Sequence, residues 1–237
     1  MSQVYKLPAE PYFPDPHLAD ADGLLAYGGD LSPRRLVVAY QSGFFPWFNE
    51  DSPAILWWTP DPRMVLYPQK FKLSKSLRQK LRRKTFEVKV DSAFERVIKA
   101  CRHAPRPGQE GTWITDEIEM AYTRLHRLGL AHSVECWQGE DLVGGLYGLS
   151  LGRIFFGESM FHTQSDASKV AFYYLSHYCK ALDFTFIDCQ MHTAHLESLG
   201  AEKMARKDYL EVLHQNNQEE TLKGSWENLV PQFPLDL

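Results

Sequence analysis

The chain has 237 residues and a mass of 27.3 kDa, which suits one large domain or a compact domain with a smaller companion. Hydrophobic residues make up 44% of the sequence and aromatic residues 13%, enough for a packed core, so wholesale disorder is excluded. The formal net charge of −4 by itself argues against a nucleic-acid partner, but the charges are unevenly distributed.

Targeting and membrane signals are absent from the sequence pattern. No apolar run reaches the roughly 18–20 residues that cross a bilayer, and the first residues lack the apolar stretch of a signal peptide. The four cysteines include no C-x-x-C pair, which argues against a disulfide framework and against a zinc ribbon. The sequence therefore predicts a cytosolic protein with reduced thiols.

The first sixty residues are rich in proline and glycine, and one helix is predicted among them. Asp30 or Ser32 can cap this helix, and Gly43 ends it. The aromatic residues between positions 44 and 58 are expected in irregular chain that packs on a larger body. We therefore predict a small N-terminal domain over residues 1–62.

From residue 63 onward the pattern becomes regular. Strands are predicted at 64–67, 86–90, 132–137, 142–149, 153–161 and 184–189. Helices are predicted at 74–83, 93–102, 116–128, 167–182 and 193–199, the fourth having apolar residues at i, i+3, i+4 and i+7. Antiparallel hairpins followed by a strand–helix–strand unit indicate a domain with mixed α and β structure, α+β or α/β, over residues 63–237.

A basic stripe occupies residues 70–84. Eight of the 26 basic residues lie there without one acidic residue, so the rest of the chain carries 18 basic against 30 acidic residues. Neighbouring like charges on a helix repel by roughly a few tenths of a kcal/mol per pair, so a merely solvated face is disfavoured. We interpret the stripe as a surface for a nucleic-acid backbone. The cations assigned to RNA are Lys75, Arg78, Lys80, Arg82, Arg83 and Lys84.

Two carboxylates lie within apolar strands. Glu158 belongs to the string FFGESMF and Asp188 to FIDCQ. Burying a single carboxylate costs free energy unless it is paired. Each of the two, considered alone, is therefore expected to face solvent at the end of its strand or to pair with a buried arginine. The two carboxylates, however, lie on strands that flank one helix, and Gln190 is on the same face of its strand as Asp188. This arrangement predicts a polar cluster. Such a cluster can bind a cation, activate an amine or tune a base.

Three other kinds of site are less well supported. The turn at 162–166 has no glycine and places an acid at the helix start, which argues against the phosphates of coenzyme A. Cys189, His192 and His195 do not have the spacing of a zinc motif. Ser159 lacks the surroundings of a nucleophile elbow. A coenzyme-A-dependent acetyltransferase and a tRNA-binding protein without catalytic activity stay open as alternatives.

Eight short segments of the sequence, taken together, are specific enough to indicate a protein family. They are GLLAYGGDLS (23–32), GFFPWF (43–48), LWWTPDPR (56–63), GTWIT (111–115), LVGGLYG (142–148), FGESMF (156–161), IDCQ (187–190) and HLESLGA (195–201). Together they closely resemble the leucyl/phenylalanyl-tRNA–protein transferase family over residues 12–213. Leu146 stands where a familiar relative has methionine, a change that keeps this position apolar.

The resemblance implies a bacterial cytosolic enzyme. Such an enzyme moves leucine or phenylalanine, and weakly methionine, from its tRNA to the N-terminal Arg or Lys of a protein, which then enters N-degron proteolysis. The partners implied are therefore aminoacyl-tRNA and acceptor proteins, with no cofactor, no metal and no membrane. The resemblance also implies an acetyltransferase-like (GNAT-like) C-terminal domain that uses no coenzyme A, together with a small N-terminal domain.

The same resemblance assigns site residues. It places Asp188 and Gln190 at the catalytic centre and Glu158 beside them. We expect Asp188 to orient and polarise the amine through Gln190, and Glu158 to neutralise the cationic end of the acceptor; whether Asp188 is a base or an electrostatic anchor stays open. The apolar pocket for the aminoacyl side chain is assigned to Phe155, Met160, Leu146 and Ile187. The aromatic residues around the aminoacyl-adenosine end are Tyr40, Trp47, Trp113 and Tyr122.

Overall fold

The computed structural model describes residues 3–105 and 112–228. Gly111 of the GTWIT string lies outside the described residues, as do the two ends of the chain. The described chain is organised around two β-sheets, one of four strands and one of seven. No described helix is both long and apolar enough to cross a membrane.

The elements follow one another as in a mixed α and β protein. The strands of the described residues are β1 (Tyr5–Lys6), β2 (Leu24–Tyr27), β3 (Phe45–Pro46), β4 (Leu56–Trp58), β5 (Arg63–Leu66), β6 (Glu87–Val90), β7 (Ala131–Gln138), β8 (Asp141–Leu151), β9 (Ile154–His162), β10 (Phe186–Gln190) and β11 (Glu202–Met204). The helices are α1 (Pro33–Gln41), α2 (Lys75–Arg82), α3 (Phe94–His103), α4 (Asp116–Arg127), α5 (Ala167–Ala181), α6 (Ala194–Ser198) and α7 (Arg206–Asn216).

The smaller sheet contains the strand order β1-β2-β4-β3 and is followed in the chain by the larger one. The helix predicted in this region is confirmed as α1, with the Ser32 hydroxyl accepting a hydrogen bond from the backbone N–H of Arg35. The expectation of irregular chain for the aromatic segments is wrong in part, because β3 and β4 pair in antiparallel register. Strands of two or three residues are too short to show an alternating pattern.

The larger sheet has the order β11-β5-β10-β9-β8-β7-β6. Strands β7, β8 and β9 form two antiparallel hairpin pairings, and α5 connects β9 to the parallel neighbour β10. The mixed α+β architecture is therefore confirmed, and each helix and strand predicted between residues 63 and 200 is present with ends shifted by at most two residues. Strand β11 and helix α7 were not predicted, although the spacing of Tyr209 and Leu213 gives a helical signal for α7.

Buried arginines connect the two sheets. Arg206, at the start of α7, donates hydrogen bonds to the carbonyl oxygens of Ala19, Asp20 and Thr59 in the N-terminal part. Arg63 donates in the same way to the Gly43 carbonyl at 3.3 Å. The N-terminal part is thus hydrogen-bonded to the chain of the larger sheet, and the division into domains of residues 1–62 and 63–237 stays a prediction.

Two β-bulges separate β9 from β10 at one end. The two strands pair from Phe186 and Ile154 to Asp188 and Phe156. Just beyond, Glu158 is an extra residue in the β8–β9 ladder and Cys189 is an extra residue in the β10–β5 ladder. A bulge bends its strand and redirects its side chains. The gap between the two strands is where the polar and apolar residues of the candidate site meet.

Candidate active site

A cavity of about 420 Å³ opens between β9 and β10. Its walls are mainly apolar, and its volume lies within the range of small-molecule sites, which is about 300–1,000 Å³. The sequence-predicted residues that line it are Leu146, Met160, Ile187, Trp47, Trp113, Glu158 and Gln190. Lining residues that sequence reasoning missed include Phe45, Tyr147, Phe172, Leu175, His195 and Leu196. The apolar face of α5 was recognised, but only the fold shows that part of it faces a cavity.

Glu158 is the carboxylate that reaches the cavity wall. Its side chain is 8% exposed and accepts hydrogen bonds from the hydroxyl of Tyr40 at 2.6 Å and of Tyr122 at 3.1 Å. The pKa of Glu158 is raised to about 7: burial and, to a smaller extent, the charge of Asp188 raise it, whereas the tyrosine donors and Arg63 oppose the rise. Glu158 is therefore able to exchange a proton near neutral pH.

Gln190 connects the two carboxylates of the cluster. Its side-chain amide donates to Glu158 Oε1 at 3.0 Å, and its backbone N–H donates to Asp188 Oδ1 at 2.8 Å. The residue has a φ of 60°, a left-handed conformation that is uncommon for residues other than glycine. The bond to Asp188 holds this conformation and directs the amide into the cavity.

Asp188 does not line the cavity, and its predicted role, to act on the amine through Gln190, stays a prediction. It is fully buried and receives hydrogen bonds from Arg63 Nε at 2.9 Å, Arg63 Nη2 at 2.8 Å and the Tyr209 hydroxyl at 2.8 Å. The carboxylate in turn raises the pKa of Arg63 although burial of the guanidinium opposes this. A buried carboxylate needs such partners, and here Arg63 and Tyr209 occupy both of its oxygens.

Three further predicted contact residues lie behind the cavity wall. Phe155 is fully buried and packs with its ring centroid 6.0 Å from that of Trp226. Tyr40 and Tyr122 are also fully buried, hydrogen-bonded to one another and to Glu158. We therefore expect these three side chains to support the cavity wall from behind rather than to contact the substrate directly. Sequence strings identify neighbours of a site but do not say which side chains reach its surface.

Trp47 and Trp113 line the cavity and are only partly buried, and their assignment to the aminoacyl-adenosine end stays a prediction. The ring of Trp47 lies 5.3 Å from that of Trp58, whose indole N–H donates to the Trp47 carbonyl at 2.7 Å. Trp57 is a core residue without exposed surface. A pair of half-buried indoles at a cavity can stack on a base or a ribose.

The basic stripe forms the outer face of α2. Leu77 and Leu81 point inward, while Lys75, Arg78, Arg82, Arg83 and Lys84 are exposed. Lys80 differs, because its Nζ lies 2.8 Å from Asp166 Oδ2 and donates to the Ser165 carbonyl at 2.8 Å. Five of the six cations assigned to RNA are thus exposed, and Lys80 instead connects α2 to the start of α5.

Of the residues weighed for a metal site, His192 has a carboxylate partner and the Cys189 thiol donates to the Ile187 carbonyl. His192 Nε2 lies 3.0 Å from Glu197 Oε2 on the surface. Over the two described ranges, no group of three or more His, Cys, Asp or Glu side chains is arranged to hold a metal ion. Burial raises the pKa of the Cys189 thiol, which disfavours a reactive thiolate at the cavity.

Comparisons with known proteins identify two matching family models. The model described as leucyl/phenylalanyl-tRNA protein transferase matches residues 65–214, and the one for the N-terminal domain of that transferase matches residues 29–61. Proteins named leucyl/phenylalanyl-tRNA--protein transferase are similar over most of their length. One from Anaeromyxobacter dehalogenans (strain 2CP-C) is 53% identical over 94% of this chain and 96% of its own. One from Desulfatibacillum aliphaticivorans is 56% identical over 94% and 95%.

Solved structures are more distant. The structure of L-PGS from Bacillus licheniformis covers 71% of this chain and 53% of its own, with 12% identity and a TM-score of 0.39. The C-terminal domain of a putative lysylphosphatidylglycerol synthetase from Agrobacterium fabrum has 13% identity, coverages of 88% and 70%, and a TM-score of 0.37.

Proposed function

Because the chain belongs to the leucyl/phenylalanyl-tRNA–protein transferase family, we propose that it transfers leucine or phenylalanine from an aminoacyl-tRNA to the N-terminal Arg or Lys of an acceptor protein. Methionine as a weaker donor and the entry of the product into N-degron proteolysis belong to the same proposal. The main support for the proposed transfer reaction is the apolar cavity, whose wall includes the polar side chains of Glu158 and Gln190.

The donor side chain fits the apolar part of the cavity. Leu146, Met160 and Ile187 form one part of its wall, and Phe172 and Leu175 of α5 form another. Leucine and phenylalanine gain free energy when such a wall removes them from water, whereas a polar side chain loses its hydration. The cavity therefore favours large apolar aminoacyl groups, and Trp47 and Trp113 flank the terminal adenosine.

The reaction forms an amide from an ester that is already activated. The α-amine of the acceptor attacks the carbonyl carbon, the bond from that carbon to the ribose oxygen breaks, and the released ribose oxygen takes up a proton. The amine has an ordinary pKa of about 7.7–8.0, so most of it is protonated at pH 7. No ATP and no covalent enzyme intermediate are needed, and much of the rate comes from orientation of the two groups.

The polar cluster supplies the proton transfer. Glu158, with its pKa of about 7, accepts the proton that the amine loses. Gln190 directs its amide toward the reacting groups, and Asp188 acts through the Gln190 backbone as a positioning residue. Asp188 is therefore an electrostatic anchor in this proposal, because Arg63 and Tyr209 already occupy its carboxylate.

The finer organisation is also proposed. The C-terminal domain is acetyltransferase-like, which is supported by the parallel pair β9 and β10 that separates around a cavity after a helical crossover. The N-terminal domain covers residues 1–62 and contributes Trp47 to the cavity. A reaction that consumes aminoacyl-tRNA is expected to occur in the cytosol.

A transfer assay tests the proposal against its alternatives. The protein is incubated with labelled phenylalanyl-tRNA and a peptide that begins with Arg, and separately with acetyl coenzyme A. Labelled peptide from the tRNA reaction supports the proposal. Acetylation without aminoacyl transfer would indicate a coenzyme-A-dependent enzyme, and tRNA binding without transfer would indicate a non-catalytic binding protein.

Charge reversal on the basic stripe is expected to weaken RNA binding. Replacing Arg78, Arg82 and Arg83 by Glu should lower the affinity for aminoacyl-tRNA by about tenfold or more at moderate salt, because phosphate contacts are lost. The slope of log affinity against log salt should also become shallower by about 2–3 units. Filter binding at several salt concentrations measures both quantities.

A variant with three reversed cations elsewhere serves as the control. Arg124, Lys180 and Lys223 are exposed on other elements, so their replacement by Glu changes the net charge equally. Wild-type affinity and salt slope in the Arg78, Arg82, Arg83 variant would show that the stripe is only a solvated face. Equal losses in both variants would show a general effect of net charge.

A further inference from the structure

The side-chain layer of the larger sheet has a gap beside the cavity. His132 of β7, Gly148 of β8 and Gly157 of β9 lie opposite one another in the two antiparallel pairings, so they belong to one face of the sheet. Gly157 lines the cavity. A Cβ atom at Gly148 would overlap the ring of Phe155, which occupies the space that a side chain there would need. The Phe155 ring therefore fills the gap next to the cavity wall.

Phe155 also adjoins two residues that line the apolar part of the cavity. Ile187 is its partner in the parallel pairing of β9 with β10, and Leu146 lies two positions before Gly148 on the same face of β8. Both Ile187 and Leu146 line the cavity. A displacement of the Phe155 ring away from the cavity would thus leave space behind this part of the wall.

Trp226 covers the side of Phe155 that faces away from the cavity. Its ring centroid lies 6.0 Å from that of Phe155, 5.7 Å from that of Phe184 and 4.1 Å from that of His132, on which it stacks. Trp226 is only 1% exposed, although it belongs to the segment that follows α7. This segment therefore supplies a core residue directly behind Phe155.

Asp91 fixes the position of Trp226. Its Oδ2 accepts a hydrogen bond from the Trp226 backbone N–H at 2.7 Å and lies 2.9 Å from His132 Nδ1. The same carboxylate thus holds the Trp226 backbone and the imidazole on which the indole stacks. Burial opposes ionisation of Asp91, but His132 and the N–H groups of Trp226 and Ser133 hold its pKa below the ordinary value.

We propose that Trp226 is a positioning residue that limits the size of the donor side chain, because it holds Phe155 against the wall of the cavity. This inference rests on the proposed function and adds a specificity-determining residue that does not itself line the cavity. Protein interiors are close-packed, so a smaller side chain at position 226 gives the Phe155 ring room to move away from the wall. The cavity can then accept an aminoacyl group larger than phenylalanine.

A comparison of two donors tests the proposal. One tRNA is charged with phenylalanine and, separately, with naphthylalanine, whose side chain has one more fused ring. The measured quantity is the kcat/KM for the naphthylalanyl donor divided by that for the phenylalanyl donor, with the same Arg peptide as acceptor. Both values come from one protein preparation, so a loss of folded protein cancels in this donor ratio.

The donor ratio should rise about tenfold or more in Trp226→Leu, because small changes in the volume of an apolar pocket alter discrimination by roughly 10- to 200-fold. Trp226→Phe keeps an aromatic ring and should raise the ratio by about threefold, and it serves for the measurement if the leucine variant does not fold. Phe155→Leu should raise the ratio as well. The double variant Phe155→Leu/Trp226→Leu should then match Phe155→Leu within about twofold, since Trp226 acts through Phe155.

Trp57→Leu is the matched control. Trp57 is a fully buried tryptophan that does not line the cavity, so its replacement should leave the donor ratio within about twofold of wild type. An unchanged ratio in the Trp226 variants would overturn the inference. So would an equal rise in Trp57→Leu, or a double variant that shows the product of the two single effects. If the wild-type protein transferred no phenylalanine to the Arg peptide, the proposed function itself would fail, and the inference with it.

Discussion

Replacement of Glu158 by Gln is expected to lower kcat for aminoacyl transfer by about 100-fold or more, the usual contribution of a positioned general base. The glutamine oxygen can keep the bonds from Tyr40 and Gln190, and its amide can donate to Tyr122, so the cluster geometry is retained. What the variant loses is the ability to accept a proton. Single-turnover transfer from phenylalanyl-tRNA measures the effect.

The raised pKa of Glu158 also predicts the direction in which kcat changes with pH. Because the pKa of Glu158 is about 7, its basic form increases as the pH rises through neutrality. We expect wild-type kcat to rise with pH through 7, where half of Glu158 is in its basic form, and to level off only above about pH 8–9, where the acceptor amine has also lost its proton. The Glu158→Gln variant should be slow at every pH. A variant that keeps more than a tenth of wild-type kcat, with the same pH profile, would exclude Glu158 as the proton acceptor.

Glu135 provides a matched control. It is fully buried on β7, outside the cavity lining, and burial likewise raises its pKa to about 7. Glu135→Gln replaces the same chemical group; the glutamine oxygen can keep the bond from the Ser92 hydroxyl, and its amide can donate to the Ser133 hydroxyl. Transfer at the wild-type rate in this variant would show that the effect at Glu158 depends on its place at the cavity.

Replacement of Asp188 by Asn is expected to lower the free energy of unfolding by about 3–5 kcal/mol, because the buried guanidinium of Arg63 loses its counter-charge. It should also lower kcat by about 100-fold, since the asparagine NH2 faces the donors of Arg63 and Tyr209, which displaces the side chain that holds the Gln190 backbone, and small misplacements are costly in catalysis. Urea denaturation measures the first effect. Single-turnover kinetics at low temperature, where the variant stays folded, measures the second.

Two further variants separate stability from positioning. Arg63→Met/Asp188→Leu removes both charges, so it should recover part of the lost stability but not the lost kcat. Ile98→Ala truncates a buried residue of α3, outside the cavity lining, and should cost about 2–5 kcal/mol with kcat unchanged. If kcat returned with stability in the double variant, Asp188 would have only a structural role.

The regular elements of the larger sheet and of the helices beside it follow from local signals. The apolar spacing in α5, the Ser74 cap of α2 and the glycine turns at Gly139 and Gly152 are set by neighbouring residues, so the sequence alone predicts them. The charge excess of the basic stripe is also a local property. Strands β3 and β4 could not be predicted, because they are too short to show an alternating pattern and are recognised as strands only by their pairing with each other.

The sequence by itself determined the family, the mixed architecture and the group of polar residues around Glu158 and Gln190, because these depend on which residues are present and how they are spaced. The tertiary structure alone decided which of those residues reach the cavity. Bulges at Glu158 and Cys189 redirect neighbouring side chains, and Arg63, more than a hundred positions away in the chain, takes up Asp188. Such placements depend on long-range pairing, which no local pattern encodes.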